Sequence, residues 1–465
     1  MLGVIGILLA LGLLMFMAFK GYSVIFFAPV FAILAAVLSG MALMPTYTEI
    51  FLPNLANYVK VYFPFFLLGA VFGKAMEESG AAAAIAKAIV KKLGTKQAML
   101  SVVLACAILT YGGVSLFVVA FAVYPFAANV FKEANIPKRL IPATIALGAF
   151  TFTMDALPGT PQIQNSIPMK FFNTDLYAAP VTGTLGALMI FVAGMLYLEW
   201  RRRKAQAAGE GYGIHTSQEP EIIEDSTLPN VLLSTVPLIA VLVVTLVLTK
   251  FVFVHWDISA WATQAPYKMD KAGIVGTMNN WALMIGLAVG IIIAFFINPK
   301  KMQGNVAKAL NAGAIGSLLA VMNTASEVGF GNVIKSLPGF QSIAHALMSI
   351  KGGGSPLLSE AVTVNVLAGV TGSASGGMSI ALDTFGKDYL AMANNIGLSP
   401  EMLHRIASMA SGGMDTLPHN GAVITLLAIT GLTHKQAYKD IFALTCMKIV
   451  APLILIPLSS IFHFV

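Results

Sequence analysis

Met154-Asp155-Ala156-Leu157-Pro158 and Met414-Asp415-Thr416-Leu417-Pro418 repeat one pattern, Met-Asp-x-Leu-Pro, about 260 residues apart in a largely apolar sequence. A proline removes a backbone donor and clashes with the preceding helical turn, so each stretch predicts a broken helix. An ionised carboxylate is unfavourable in lipid and is typical of functional positions. Two such breaks in corresponding positions of two halves predict the midplane site of a secondary transporter.

The composition is that of an integral membrane protein. Hydrophobic residues make up 57% of the chain, charged residues only 11%, and the mean hydropathy is +0.81. Soluble domains carry about a quarter charged residues, so a solvated surface is excluded. The net charge of +7 does not indicate nucleic acid, because Lys and Arg concentrate in short loops between apolar runs. We expect an all-α polytopic protein, embedded in the lipid bilayer, with no metal site and no cofactor.

Basic loops predict the orientation of the chain. The run Arg201-Arg202-Arg203-Lys204 opens a polar linker, 201–228, which the positive-inside rule places in the cytoplasm. Counting apolar runs in both directions from this linker places the N-terminus and the C-terminus outside. The same count makes the halves 1–200 and 229–465 run in opposite senses. The sequence therefore predicts two inverted repeats, each with about five transmembrane helices and one re-entrant hairpin.

Each half contains a predicted hairpin and a predicted broken helix. The stretch 98–131 is interrupted by a glycine turn and flanked by basic residues, which indicates that it enters and leaves on one side. Its counterpart in the second half is 357–393. The broken helices are predicted at 140–172 and 402–432, around the two Met-Asp motifs. Because a hairpin tip is tolerated in a bilayer only within protein or beside a wet cavity, both tips are predicted to line the site.

The hairpin turns and the helix breaks supply the predicted substrate-binding groups. Half-helix N-termini offer free N–H groups and a positive dipole end to a carboxylate, and glycine permits close approach of the backbone. Small residues also allow close helix packing, but clusters at duplicated turns favour binding. The predicted substrate-binding residues are Gly112, Gly113, Ser115, Thr160, Gln162, Gly372, Ser373, Ser375, Gly376, His419 and Asn420.

Three acids, Asp155, Asp415 and Glu327, are the candidates for proton coupling. The two aspartates either cap the half-helices that follow them or carry protons, and the two roles are compatible. Asp415 is the expected carrier, because His419 lies one turn onward and Glu327 belongs to the same half, whereas Asp155 has only neutral neighbours. For His419 itself, a hydrogen bond to a buried neighbour and contact with substrate both stay open.

The order of spans, hairpin, broken helix and span, present twice, resembles the ion transporter superfamily. Lys20-Gly21-Tyr22-Ser23 and the Phe-Gly…Gly pattern at Gly80 and Gly339 are similar to its GntP family of gluconate-type permeases. The resemblance implies an elevator-type carrier of the bacterial plasma (inner) membrane, usually a homodimer, that takes up a small anionic hydroxy acid with a proton. Gluconate permeases carry His-Val-Asn-Asp-Ala-Gly-Phe where this chain has Met414 to Gly421, so it looks more like the family's 3-hydroxybutyrate-type permeases.

Other classes of function fit the sequence less well. The chain has no His-Glu-x-x-His, Gly-x-Ser-x-Gly or Gly-x-Gly-Asp motif, so an intramembrane enzyme is not expected. A channel is usually built from subunits arranged in rings around one pore, whereas this chain duplicates its own site. Among carriers, a sodium-coupled carboxylate symporter and an inorganic-ion exchanger remain as alternatives. The exchanger is expected to need more acids at the breaks.

Overall fold

The protein is almost entirely helical. The computed structural model describes residues 2–20, 22–114, 116–215, 219, 228–266, 271–340, 342, 350, 355–418, 420–462 and 465. Helices of eight or more residues within these ranges are labelled α1 to α17 in chain order. Those before the linker are α1 (Leu2–Phe19), α2 (Val24–Leu38), α3 (Leu52–Glu78), α4 (Ala81–Leu93), α5 (Ala98–Tyr111), α6 (Leu116–Glu133), α7 (Ile141–Ala149), α8 (Ile163–Phe172) and α9 (Pro180–Ala207).

A similar succession follows the linker. The helices there are α10 (Val231–Val247), α11 (Lys271–Ile297), α12 (Val306–Ser336), α13 (Leu357–Thr371), α14 (Ala374–Asn395), α15 (Pro400–Ser411), α16 (Gly421–Thr430) and α17 (His434–Phe462). Shorter segments are the helices Leu43–Pro45, Phe152–Asp155, Ser259–Ala262 and Pro299–Met302, the π-helical turns Thr46–Phe51 and Leu248–Val252, and the 3-10 turns Thr95–Gln97, Lys138–Leu140 and Met414–Thr416.

Several of these helices are built to cross a membrane. By length and composition six of the described helices qualify, or seven if Ala81–Leu93 and Thr95–Tyr111, which meet at 103°, count as one span. Large apolar side chains stay exposed on outward faces, such as Leu232 at 78% and Phe296 at 74%. Exposed apolar surface on this scale suits lipid and not water. The prediction of an all-α polytopic membrane protein is confirmed.

Glycine and proline interrupt the helices at both Met-Asp motifs. Between Phe152–Asp155 and α8 the chain is not helical, because Pro158 and Pro161 lack backbone donors and Gly159 has φ +80°. In the second half α15 ends at Ser411 and α16 begins at Gly421, with the Met414–Thr416 turn between them. Each break leaves free helix ends inside the protein.

The longest helices, α3 and α12, pack closely along each other. Glycines of α12 make this approach possible: a Cβ on Gly313 would lie 2.7 Å from the Val71 Cα, and one on Gly329 would lie 3.0 Å from the Phe51 carbonyl oxygen. Small residues at a helix interface let two backbones meet, which is a principal source of helix association in membranes. The pair lies beside both hairpins, with α3 against α6 and α12 against α14.

The hairpins and the broken helices cross between the two halves. α5 and α6 pack on each other and on α7, and α6 also packs on α16 of the other half. In the same way α13 and α14 pack on α15, and α14 packs on α8. Each hairpin therefore contacts the first part of its own broken helix and the second part of the other one.

An ion-pair cluster joins three helix ends near the linker. Asp440 accepts hydrogen bonds from Arg139, Arg201 and the hydroxyl of Tyr197, and Arg139 also donates to Glu210 at 2.6 Å. The guanidinium hydrogen-bonded to Glu210 lowers the pKa of that carboxyl below its ordinary value, so the pair is charged at neutral pH. The cluster fixes the start of α7 against α9 and α17.

Candidate functional site

Two buried acids share one buried cation where the two broken helices meet. The Lys448 Nζ lies 2.9 Å from Asp155 Oδ2 and 3.5 Å from Asp415 Oδ1, and it donates a hydrogen bond of 2.7 Å to the Phe150 carbonyl oxygen. The side chains of Lys448 and Asp155 are 0% exposed. We call Asp155, Lys448 and Asp415 the charged triad. It brings together residues from both Met-Asp motifs and from the final helix.

The residues before the second motif leave room for the triad. A Cβ on Gly412 would collide with the Asp155 carboxylate and the Lys448 ammonium, and one on Gly413 would collide with the amide oxygen of Asn365 on α13. The Gly-Gly pair therefore allows one broken helix to approach charged and polar groups of other elements closely.

The structure corrects two expectations for the aspartates. Neither caps a half-helix: the cap of α16 is Asn420, whose side-chain oxygen accepts from the N–H groups of Ala422 at 2.7 Å and Val423 at 3.3 Å, and α8 begins after Gln162. The expectation that Asp155 has only neutral neighbours is also wrong. Its nearest charged group, Lys448, lies far away in sequence, so neighbouring residues could not indicate it.

The first hairpin turn is attached to the first helix break. The Gln162 amide donates a hydrogen bond of 2.8 Å to the Thr110 carbonyl oxygen at the end of α5. Gly113, with φ +96°, would place a Cβ 3.2 Å from the Pro161 side chain, and Gly112 would place one against Leu238 of α10. Thr160 is fully buried and its hydroxyl has no partner among the described residues. Four predicted site residues thus lie around one junction.

The second hairpin turn is attached to the second break in a matching way. The Asn420 amide donates a hydrogen bond of 2.6 Å to the Gly372 carbonyl oxygen, and Gly372 has φ +69°. Ser373 caps α14 by accepting from the Gly376 N–H at 3.1 Å, and Ser375 is buried beside it. Gln162 and Asn420 therefore hold equivalent positions at the two junctions. The predicted residues Ser115 and His419 lie outside the described residues.

Glu327 lies at the second hairpin turn and not at the triad. It is 5% exposed on α12, and a Cβ on Gly376 would lie 2.8 Å from its Oε2. Tyr58 of α3 is buried nearby, and its hydroxyl faces Ser375. The expected support of Asp415 by Glu327 is therefore not present as a direct contact.

Sequence reasoning missed a second set of buried polar groups. Arg405 of α15 is 0% exposed and donates to the carbonyl oxygen of Ala178 at 2.7 Å and to the Asn165 amide oxygen at 2.9 Å. His404 Nε2 lies 3.1 Å from the same oxygen of Asn165. Ser408 donates to the Asp155 carbonyl oxygen at 2.7 Å. These contacts fasten α15 to the region around the first break.

The signal for the missed cations was present in the sequence. Lys448 lies within the apolar run of the final span, and an intramembrane lysine is a functional candidate by default. Arg405 lies in the first part of a predicted broken helix.

A separate surface cavity of about 560 Å³ contains none of the predicted residues; it is lined by Phe172–Asp175, Thr249, Phe253, Val254, Met278 and Ser399–Glu401.

Comparison with known proteins agrees with this architecture. Residues 2–381 match the GntP family permease. The transporter YxjC of Bacillus subtilis (strain 168) is 52% identical over 468 residues, covering 98% of each chain. A permease of Haemophilus influenzae (strain Rd) is 25% identical over 328 residues, covering 68% of this chain and 63% of its own.

Two solved structures share the fold at low sequence identity. The YdaH transporter of Alcanivorax borkumensis superposes with a TM-score of 0.57 at 12% identity, covering 88% of both chains. MtrF of Neisseria gonorrhoeae, described as one of a class of antimetabolite efflux pumps, gives 0.52 at 14% identity, covering 87% of this chain and 82% of its own. The prediction that the chain is not an enzyme is confirmed, and the chain belongs to the GntP family of permeases.

Proposed function

We propose that this permease is a secondary active carrier that takes up a small anionic hydroxy acid, of the 3-hydroxybutyrate or gluconate type, together with a proton. The charged triad at the meeting point of two broken helices carries the proposal. Ionisable groups buried within transmembrane segments mark ion and substrate pathways. Discontinuous helices place such groups beside free helix ends, where transported ions and anions bind.

The substrate carboxylate is proposed to bind at the two junctions of hairpin turn and helix break. Asn420 and Ser373 stand at the N-termini of α16 and α14, and Gln162 stands at that of α8. A helix N-terminus offers N–H donors and a partial positive charge to an anion. The buried hydroxyls of Thr160 and Ser375 are suitable partners for a substrate hydroxyl.

Transport is proposed to follow an elevator mechanism with two inverted repeats, 1–200 and 229–465, joined by a cytoplasmic linker, 201–228. The crossed packing of hairpins and broken helices supports a single moving body, with the α3–α12 pair in the fixed frame. Single cysteines at Asn135 and Gly397 are expected to react with an impermeant reagent from opposite faces. Reaction from one face would contradict the inverted arrangement. Two copies per particle, measured by mass in detergent, are expected for the homodimer.

Asp415 is the proposed proton carrier. Its oxygen lies 3.5 Å from Lys448 Nζ whereas that of Asp155 lies at 2.9 Å, and its side chain keeps 9% exposure against 0%, so it is held less tightly. A monoanion entering against an inside-negative potential is opposed by about 2.3 kcal/mol per 100 mV, and one accompanying proton removes that opposition. Glu327, buried at the second hairpin turn, is the alternative carrier.

Counterflow in liposomes tests the proposal. Vesicles loaded with an unlabelled acid and offered a panel of labelled hydroxy acids should accumulate the transported one, which a channel does not do. Asp415→Asn keeps the shape but cannot titrate, so uptake driven by a pH gradient should be lost while exchange persists. Accumulation by Asp415→Asn together with its loss in Glu327→Gln would assign the proton to Glu327. Uptake that follows a sodium gradient and ignores pH would favour the sodium-coupled alternative.

A further inference from the structure

The surroundings of the Lys448 ammonium resemble the binding site of a small cation. Three oxygens from both broken helices approach Nζ: carboxylate oxygens of Asp155 and Asp415, and the carbonyl oxygen of Phe150 at 2.7 Å. Phe150 follows the last residue of α7, so its carbonyl stands at the C-terminal end of a half-helix. Such ends and unwound carbonyls are the groups with which discontinuous helices bind transported cations.

The lysine reaches this position from a separate element. Lys448 belongs to α17, whereas its three oxygen partners belong to the two breaks. Hard cations choose carboxylate and carbonyl oxygens, and an ammonium group accepts the same surroundings through its three donors. The side chain therefore supplies a cation that is covalently attached to the protein.

We propose that the Lys448 ammonium is a tethered cation that occupies the place of an alkali metal ion at the junction, so that the permease needs no sodium ion there. The role of the junction in transport rests on the proposed function, but occupancy of the site by a cation does not. The proposal makes Lys448 a positioning residue that holds the two broken helices together and determines which ion the site accepts.

No other described cation is placed to substitute for Lys448. Arg405, on α15, is the next positive group toward Asp155, and its guanidinium is already bound to carbonyl oxygens and to Asn165. On α17 itself, Asp440 is paired with Arg139 and Arg201. Removal of the ammonium thus leaves two acids close together without a counter-charge.

Thermal unfolding of purified full-length protein in detergent tests this inference. The probes are NaCl, KCl and LiCl, each compared with N-methyl-D-glucamine chloride at constant ionic strength. The Tm of the wild-type protein is expected to be the same in all four salts. Lys448→Ala should have a lower Tm in N-methyl-D-glucamine, and at least one alkali cation should raise it in a saturable way. Lys439→Ala, which removes an exposed lysine of the same helix, should match the wild type.

Two results would overturn the proposal. One is a saturable rise of the wild-type Tm with an alkali cation that Asp155→Asn abolishes, because an ion would then bind beside Lys448. The other is a Lys448→Ala variant whose Tm ignores all three cations. If that variant does not fold, Lys448→Ala combined with Asp155→Asn should fold, because only one acid remains; failure of the double variant also contradicts the assignment. These readouts are independent of counterflow, so failure of the proposed function remains distinguishable.

Discussion

Asn420 performs two separable tasks, which permits a quantitative prediction. Its side-chain oxygen caps α16 by accepting from the N–H groups of Ala422 and Val423, and its amide donates 2.6 Å to the Gly372 carbonyl oxygen on the second hairpin. Asn420→Ala removes both interactions. Asn420→Ser keeps a good capping oxygen but has no amide donor for Gly372, so it removes only the link to the hairpin.

The magnitudes follow from the two kinds of contact. Loss of a helix cap costs about 1 kcal/mol. Loss of a buried hydrogen bond that leaves a carbonyl oxygen unpaired costs about 1 kcal/mol or somewhat more. We therefore expect Asn420→Ala to lower the free energy of unfolding by about 2 kcal/mol and Asn420→Ser by about half of that. The Ser variant should also bind substrate more weakly, because the hairpin turn is no longer held at the break.

Thermal unfolding in one detergent and substrate binding by counterflow would measure both effects. The expected order of Tm is wild type, then Ser, then Ala. Equal Tm values for Ser and Ala would show that the cap contributes nothing, and a Ser variant equal to wild type would remove the energetic role of the link to Gly372. A Ser variant with full stability and unchanged substrate affinity would refute the proposed role of this junction in substrate binding.

Two further predictions use glycines with matched controls. Gly412→Ala should disrupt folding or transport, because its methyl group would overlap the Asp155 carboxylate, whereas Gly421→Ala, with no protein atom near the added carbon, should leave Tm unchanged. Gly313→Ala should destabilise the α3–α12 contact by about 1 to 3 kcal/mol through overpacking, while Gly316→Ala on the same helix meets open space and should be neutral or stabilising in thermal unfolding. Equal effects within either pair would contradict the packing described here.

The fold class could be predicted because its determinants are local. Apolar runs, Pro158 and Pro418 mark the spans and breaks within a few residues of sequence. The glycine turns at Gly112 and Gly372 likewise appear in the structure at helix ends. The contacts at the junctions could not be predicted from local sequence, because the pairing of Asn420 with Gly372 depends on how two separate elements dock. Sequence alone identified the residues but not which partner each one contacts.

The charged triad shows where local reasoning ends. Asp155 and Lys448 are separated by nearly 300 residues, so no window of sequence connects them. An acid at a half-helix start suggested a cap, yet amide side chains occupy the positions before α8 and α16, and Asn420 caps α16. The carboxylates of Asp155 and Asp415 instead lie close to the Lys448 ammonium of α17.

The count of charges in the triad supports the proposed proton coupling. The Met-Asp motif is duplicated, but the cation is not: at the same spacing of about 260 residues before Lys448 the chain has Leu188, which is 55% exposed. Two ionised acids and one ammonium leave one excess negative charge within the triad itself, with Arg405 as the next positive group, and an uncompensated buried charge is strongly unfavourable. One proton on the less tightly held Asp415 would remove that excess, while Asp155 would keep its pair with Lys448. In the proposed mechanism, a duplicated motif with an unduplicated lysine thus provides one structural acid, Asp155, and one acid, Asp415, that exchanges the proton.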